Sequence, residues 1–206
     1  MLDHFALLHE PRRPWLDPEL LKPKFLALSA QIHPDHASGA GETERAAATR
    51  SFAELNAAWQ CLREPKDRLG HLLELELGAR SQDAQDVPPA AMDLSFEVGR
   101  LCREADAFLA VKSQTASPLL KARMFGPGID LTDRLHELQR RIGLRRDELL
   151  AELKTMNAAW ESAPEPASAS RPAALPLERL EGLHRMFSYI ARWTGQIQER
   201  VVRLSF

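Results

Sequence analysis

Apolar residues recur along this chain at intervals of three and four, and nowhere over a useful length at intervals of two, which is the signature of helices rather than strands. Leu21, Phe25, Leu28 and Ile32 form one such stripe, and Ala48, Phe52, Leu55, Trp59 and Leu62 form a second. Leu69, Leu72 and Leu73 mark a shorter one. Further on, Leu94, Val98, Leu101, Ala105 and Phe108 make a continuous seam. The last stripe is the cleanest: Leu180, Leu183, Phe187, Ile190, Thr194, Ile197, Val201 and Leu204 alternate steps of three and four. A helix with one apolar face cannot bury it alone, so the pattern predicts an all-α protein whose later part is a helical bundle.

Punctuation places the ends. A short apolar run follows Asp3 and stops before Pro11 and Pro14. Asp17-Pro18-Glu19 supplies a capping carboxylate, proline at the first helical position and an acid near the positive helix end. Pro23 is too deep for the free first turn, so the spacing predicts either a kink there or a regular helix beginning only near Pro23. A third helix is expected from about Glu42 to Arg63, and a fourth from Pro65 to a glycine cap at Gly78. Residues 79–89 are polar and proline-bearing, and read as a linker. Ser117-Pro118 and Gly126-Pro127-Gly128 should break the chain before a long helix near Leu131 to Trp160. Ser162 to Pro176, rich in Ala, Ser and Pro, reads as a mobile connection. The expected layout is four helices over 1–78, a linker over 79–89 and a three-helix bundle over 90–206.

Composition narrows the function. With 206 residues the chain is long enough for one or two domains with real cores. A formal charge of −2 argues against non-specific nucleic-acid binding. Cys61 and Cys102 both lie in helical apolar patterns, where buried, reduced thiols are expected, and two cysteines cannot build a thiolate metal cage. A reducing compartment, the cytosol, follows as an expectation. No apolar run reaches the length of a membrane span and the N-terminus lacks a signal-peptide pattern, so no membrane role is expected.

Between the second and third helical patterns lies Gln31-Ile32-His33-Pro34-Asp35-His36. Proline disfavours helical geometry in the residue before it, so a helix should stop at His33, and Asp35 should project from a stiffened corner. Asp35 could offer its carboxylate to a partner or merely cap a turn. His33, Asp35 and His36 are also metal-ligand types, and resemble the tail of a metallo-β-lactamase-like signature whose first His is here Gln31. A zinc hydrolase needs three protein ligands and an open position, commonly on strand ends, and no strands are expected.

Taken together, the first 78 residues resemble a J-domain, and the whole chain resembles the HscB-type co-chaperones of iron–sulfur cluster assembly. The residues that carry this are His4-Phe5-Ala6-Leu7-Leu8, Leu16-Asp17-Pro18, Phe25 with Leu28 before His33-Pro34-Asp35, and Leu55-Asn56-Ala57-Ala58-Trp59-Gln60-Cys61-Leu62-Arg63, continued by Arg68 and Leu72-Leu73. The tryptophan segment followed by Arg63-Glu64-Pro65 separates this subfamily from ordinary J-domains. Two positions depart from the pattern: Ile32 stands where an aromatic is usual, and His36 where lysine is usual.

The resemblance implies a protein that is not an enzyme and carries no cofactor or metal. His33, Pro34 and Asp35 would dock on a DnaK/HscA-type chaperone and speed its ATP hydrolysis, Asp35 accepting a charge-assisted contact from an arginine. Lys22 and Lys24 would steer the encounter, unless they are simply solvated. The bundle would bind an IscU-type iron–sulfur scaffold protein. Here periodicity contributes on its own: Met92 and Phe96, four apart, lie nearly opposite the seam of their helix, with Asp93 and Glu97 beside them. Either these four form an apolar and acidic docking patch, as Met92-Asp93 roughly matches in the subfamily, or Met92 and Phe96 pack beneath the linker or the J-domain. A J-domain protein whose bundle recruits a different client is the remaining alternative.

Overall fold

The structure, a computed structural model, describes residues 2–33, 41–78, 88, 91–166 and 168–205. Its described residues form eight helices and no strand: α1 (His4–Leu7), α2 (Pro18–Gln31), α3 (Glu42–Arg63), α4 (Pro65–Leu77), α5 (Met92–Gln114), α6 (Pro118–Glu161), α7 (Arg171–Ala174) and α8 (Leu177–Ser205). They group into two compact units, Met1–Gln82 with Leu150–His184, and Asp83–Leu149 with Arg185–Phe206.

In the first unit, local chemistry sets each helix start. Asp3 caps α1 by accepting the Phe5 and Ala6 amides, and Asp17 caps α2 by accepting the Glu19 amide. Helix α2 begins at Pro18, as Asp17-Pro18-Glu19 predicts, and carries Pro23 within it, which rules out the alternative of a start near Pro23. Pro23 removes only the amide that would have reached Glu19, and its ring meets a carbonyl still in the first turn, where the backbone can adjust. Helix α4 ends as the sequence predicts, with Gly78 in the left-handed region at φ 70°.

Helix α3 packs against α1, α2 and α4. The rings of Phe25 and Trp59 stack at 4.9 Å, and those of His33 and Phe52 meet edge-on at 5.2 Å. Residue numbers rise along α2 as they fall along α3, so the two helices are antiparallel. Buried Phe5, Leu8, Leu16, Leu55, Leu62, Leu69, Leu72 and Leu73 fill the space between the four helices. Arg68 is buried among them because it ties two backbones together: its Nε donates to the Pro14 carbonyl at 2.8 Å and its Nη1 to the Leu62 carbonyl at 2.7 Å.

The rest of this unit is built from the end of α6, from α7 and from the start of α8. Ser162 to Pro176, expected to be a mobile connection, instead holds α7, which packs on α4. Its Arg171 is buried against Glu76 of α4 and also donates to the Pro164 carbonyl. Gly70 of α4 lies so near His184 of α8 that a Cβ on it would stand 3.1 Å from Nε2, which accounts for a glycine in mid-helix.

In the second unit, Glu104 of α5 meets Arg134 of α6, and Glu97 meets Arg141, so these helices are antiparallel. Asp106 of α5 meets Arg200 of α8, and Lys112 reaches the Leu204 carbonyl, so these two are parallel. That order defines an up-down-up three-helix arrangement. Val98, Leu101, Ala105, Leu131, Leu135, Leu138, Ile142, Phe187, Ile190 and Ile197 are buried in it.

Helix α6 runs unbroken for 44 residues through Gly126-Pro127-Gly128, a correction to the expected break. One proline and two glycines there cost about 5 kcal/mol of helix propensity. A helix already formed downstream propagates cheaply, however, and much of this stretch faces solvent, so the carbonyl that Pro127 leaves without a donor is open to hydration. Gly128 lies against α5, where a Cβ would make ordinary contact with the Phe108 ring at 3.4 Å, so this glycine is not required by packing.

Candidate functional site

The candidate chaperone-facing surface is the end of the α2–α3 hairpin. Pro34, Asp35 and His36 lie outside the described residues. His33 is half-buried, its ring meeting that of Phe52 of α3 edge-on, so the residue that opens the His-Pro-Asp sequence is held by packing. Lys22 is exposed on α2. The Lys24 ammonium is engaged instead by the Glu10 carboxylate and by the His9 carbonyl at 3.2 Å. His9 has a left-handed backbone, φ 52°, a conformation non-glycine residues seldom adopt, and Lys24 helps hold that corner. Leu20 and Leu26 stand out from the same helix at 67% and 55% exposure. Sequence periodicity passed over both, since nothing distinguishes an apolar residue off the stripe from a surface one.

His4 of α1 and His71 of α4 face each other with ring centroids 4.4 Å apart. The His4 backbone amide donates to His71 Nε2 at 3.1 Å, which requires that nitrogen to be unprotonated. Burial lowers the pKa of both imidazoles. For His71 the neighbouring His4 acts in the same sense, and Asp3 and Glu74 oppose it.

The four residues singled out on α5 are not equivalent. Phe96 is 70% exposed and Met92 44%, and Asp93 is exposed beside them. Glu97 is already committed, its two oxygens receiving Arg141 Nη1 at 2.9 and 2.7 Å. What remains is an apolar pair with one open carboxylate at the start of a bundle helix.

The described residues hold no group of three or more His, Cys, Asp or Glu side chains able to bind a metal. Burial pushes the Cys61 thiol up to about 12 and raises Cys102 as well, so neither is a ready thiolate. None of the described helices is long and apolar enough to cross a membrane.

No protein-family model matches the sequence. Among solved structures, the chain is similar to the chaperone HscB from Vibrio cholerae, with a TM-score of 0.61 at 22% identity over 96% of each chain. It is also similar to the human co-chaperone protein HscB, with a TM-score of 0.58 at 17% identity over 98% of this chain and 81% of that one. A helical hairpin domain followed by a three-helix bundle, matched over nearly the full length, gives this chain the HscB-type fold.

Proposed function

We propose that this protein is a J-domain co-chaperone that stimulates ATP hydrolysis by a DnaK/HscA-type chaperone and delivers to it an IscU-type iron–sulfur scaffold protein. The domain limits that go with this reading are 1–78 for the J-domain, 79–89 for the linker and 90–206 for the scaffold-binding bundle. The observation that carries it is the braced hairpin: stacked Phe25 and Trp59, with His33 set on Phe52, hold the end of α2 where the His-Pro-Asp turn begins. A segment whose first residue is held in place loses less ordering entropy on docking, so the carboxylate of Asp35 would contribute a charge-assisted contact at low cost. Pro34, by its fixed φ, would limit the freedom of the chain before Asp35, Lys22 adds steering, and Lys24 acts chiefly through the corner at His9. Met92, Asp93 and Phe96 would meet the scaffold protein, with Glu97 positioned by Arg141.

The test is a steady-state ATPase assay with a DnaK-type chaperone. Asp35→Asn and His33→Gln should abolish stimulation while the circular dichroism spectrum and the binding of scaffold protein stay unchanged. Undiminished stimulation by Asp35→Asn would refute the assignment.

A further inference from the structure

The second unit carries an apolar surface that the co-chaperone reading does not use. It lies where the C-terminal part of α5, the first turns of α6 and the last turn of α8 come together. Phe125 and Ile129 of α6, four residues apart on one face, are 72% and 47% exposed, and Val202 of α8 is 45% exposed. The helix bearing most of them passes through Gly126-Pro127-Gly128, a sequence with poor helix propensity that contributes little to burial. Isolated exposed apolar residues need no explanation, but exposed ones that also line a cleft on a charged protein do.

Its shape and charge specify the occupant. A cleft of about 240 Å³ opens between Phe108, Met124, Phe125, Ile129 and Leu204, deep enough to receive a bulky apolar side chain. A second, shallower depression adjoins it, and Lys112 and Lys121 line both. Arg203 lines the shallower one but pairs with Asp106 and Glu199, so the two lysines carry the positive charge the clefts offer. Asp106, the nearest acid of α5, is taken by Arg200 and Arg203, and Asp130 approaches Arg134. Glu199 is likewise taken by Arg200 and Arg203, and Asp133 is the one acid lining the deeper cleft, against Lys112 and Lys121. No carboxylate pairs with Lys121 among the described residues. We infer that this surface docks an acidic amphipathic segment of a partner protein, which seats a leucine- or phenylalanine-like anchor in the cleft and places carboxylates against Lys112 and Lys121. A bilayer shares the preference for apolar and basic groups, but it is met by a convex amphipathic face and has no use for a concave pocket.

The probes are two labelled amphipathic helical peptides with the same leucine and phenylalanine face, one bearing glutamate on its polar side and the other lysine. They are titrated by fluorescence anisotropy into the full chain. The glutamate peptide should bind and the lysine peptide should not. Phe125→Ser should weaken binding at least about tenfold, as loss of an anchor does. Lys121→Glu should weaken it about fivefold, and added salt should weaken it further. Phe96→Ser, on the other patch, should leave it unchanged. Both altered positions are exposed, so melting temperatures should match the parent. Equal binding of the two peptides, or binding unaffected by Phe125→Ser and Lys121→Glu, would overturn the inference. Failure of both peptides to bind would do the same. So would Phe125-dependent sedimentation with phosphatidylglycerol vesicles in place of peptide binding, or a dimer that Phe125→Ser dissolves.

Discussion

Arg171 grips Glu76 through two parallel hydrogen bonds, Nε to Oε2 at 2.7 Å and Nη2 to Oε1 at 2.9 Å, with the side chains only 5% and 2% exposed. The two residues are 95 positions apart in sequence, and the pair fastens the short helix before α8 onto the fourth helix of the J-domain fold. Desolvating two charges is costly, and the bidentate geometry together with the Pro164 contact offsets that cost.

The pair therefore fixes structure more than it adds stability. Arg171→Ala or Glu76→Ala should each cost roughly 3–5 kcal/mol, because each leaves a buried charge without its partner. Replacing both at once, Arg171→Met with Glu76→Leu, should come much closer to neutral. Urea unfolding followed by tryptophan fluorescence measures both. Additive losses in the double variant would mean that the two side chains do not act as a pair.

A second long-range tie works through amides alone. The Trp15 backbone amide donates to Asn157 Oδ1 and Asn157 Nδ2 donates to the Trp15 carbonyl, each at 3.0 Å, so one side chain imitates a strand partner. Lys154 stands over the Trp15 ring at 4.8 Å from the same helix. Asn157→Ala should cost about 1–3 kcal/mol, since it strips two hydrogen bonds from a partly buried backbone. Asn157→Asp should cost more, as it removes the donor and faces the Trp15 carbonyl with negative charge. Thermal denaturation ranks the two, and a milder effect from Asp would contradict the bonding pattern.

These ties explain what could and could not be read from sequence. Helices α3 and α4 are legible almost to the residue, because Arg63-Glu64-Pro65 and Gly78 are local signals and Leu55, Leu62, Leu69 and Leu72 keep one period. The α8 seam is equally plain: of the eight residues read as its stripe, only Thr194 is not buried. Arg171 and Asn157 gave no such warning. A polar residue in a Ser-, Ala- and Pro-rich stretch looks solvated, and its partner, distant in the chain, follows no periodicity. The run through Gly126-Pro127-Gly128 was hidden for a different reason. Propensity is a local quantity, and α6 is sustained by a core that begins at Leu131. On the candidate surfaces, the stripe of α5 identified Met92 and Phe96 as lying off the core, whereas the commitment of Glu97 to Arg141 needed coordinates.

The His4–His71 contact makes the first unit sensitive to mild acid. Burial lowers both folded pKa values below the unfolded value of about 6.5. The unfolded chain therefore takes up more protons as pH falls, and stability declines from about pH 6.5 downward until the folded pKa values are passed. Asp3 adds a further loss at lower pH: burial would raise its pKa, but bonds from Arg12, Ala6 and Phe5 prevail and hold it low. The melting temperature should thus fall between pH 7.5 and 5.5, a window in which Asp3 stays ionised. His71→Gln should flatten that slope, because glutamine can still accept the His4 amide and does not titrate. An unchanged slope would place the pH sensitivity elsewhere.

Met92 and Phe96 allow a separation of binding from folding. Neither lies in the core that Val98, Leu101 and Ala105 build on the other side of α5, so replacing both with serine removes little buried area. The melting temperature should stay within a degree or two of the parent, a change of well under about 1 kcal/mol. Affinity for an IscU-type scaffold protein should fall about tenfold or more, as when apolar anchors are lost from an interface centre. Arg141→Ala provides the control on charge: it frees Glu97 without touching the apolar pair, and should change the salt dependence of binding more than its strength. Isothermal titration of the full chain at two ionic strengths reads all of these. A double serine variant that melts several degrees early would return Met92 and Phe96 to a packing role, and one that binds scaffold as the parent does would move the client surface off this end of α5.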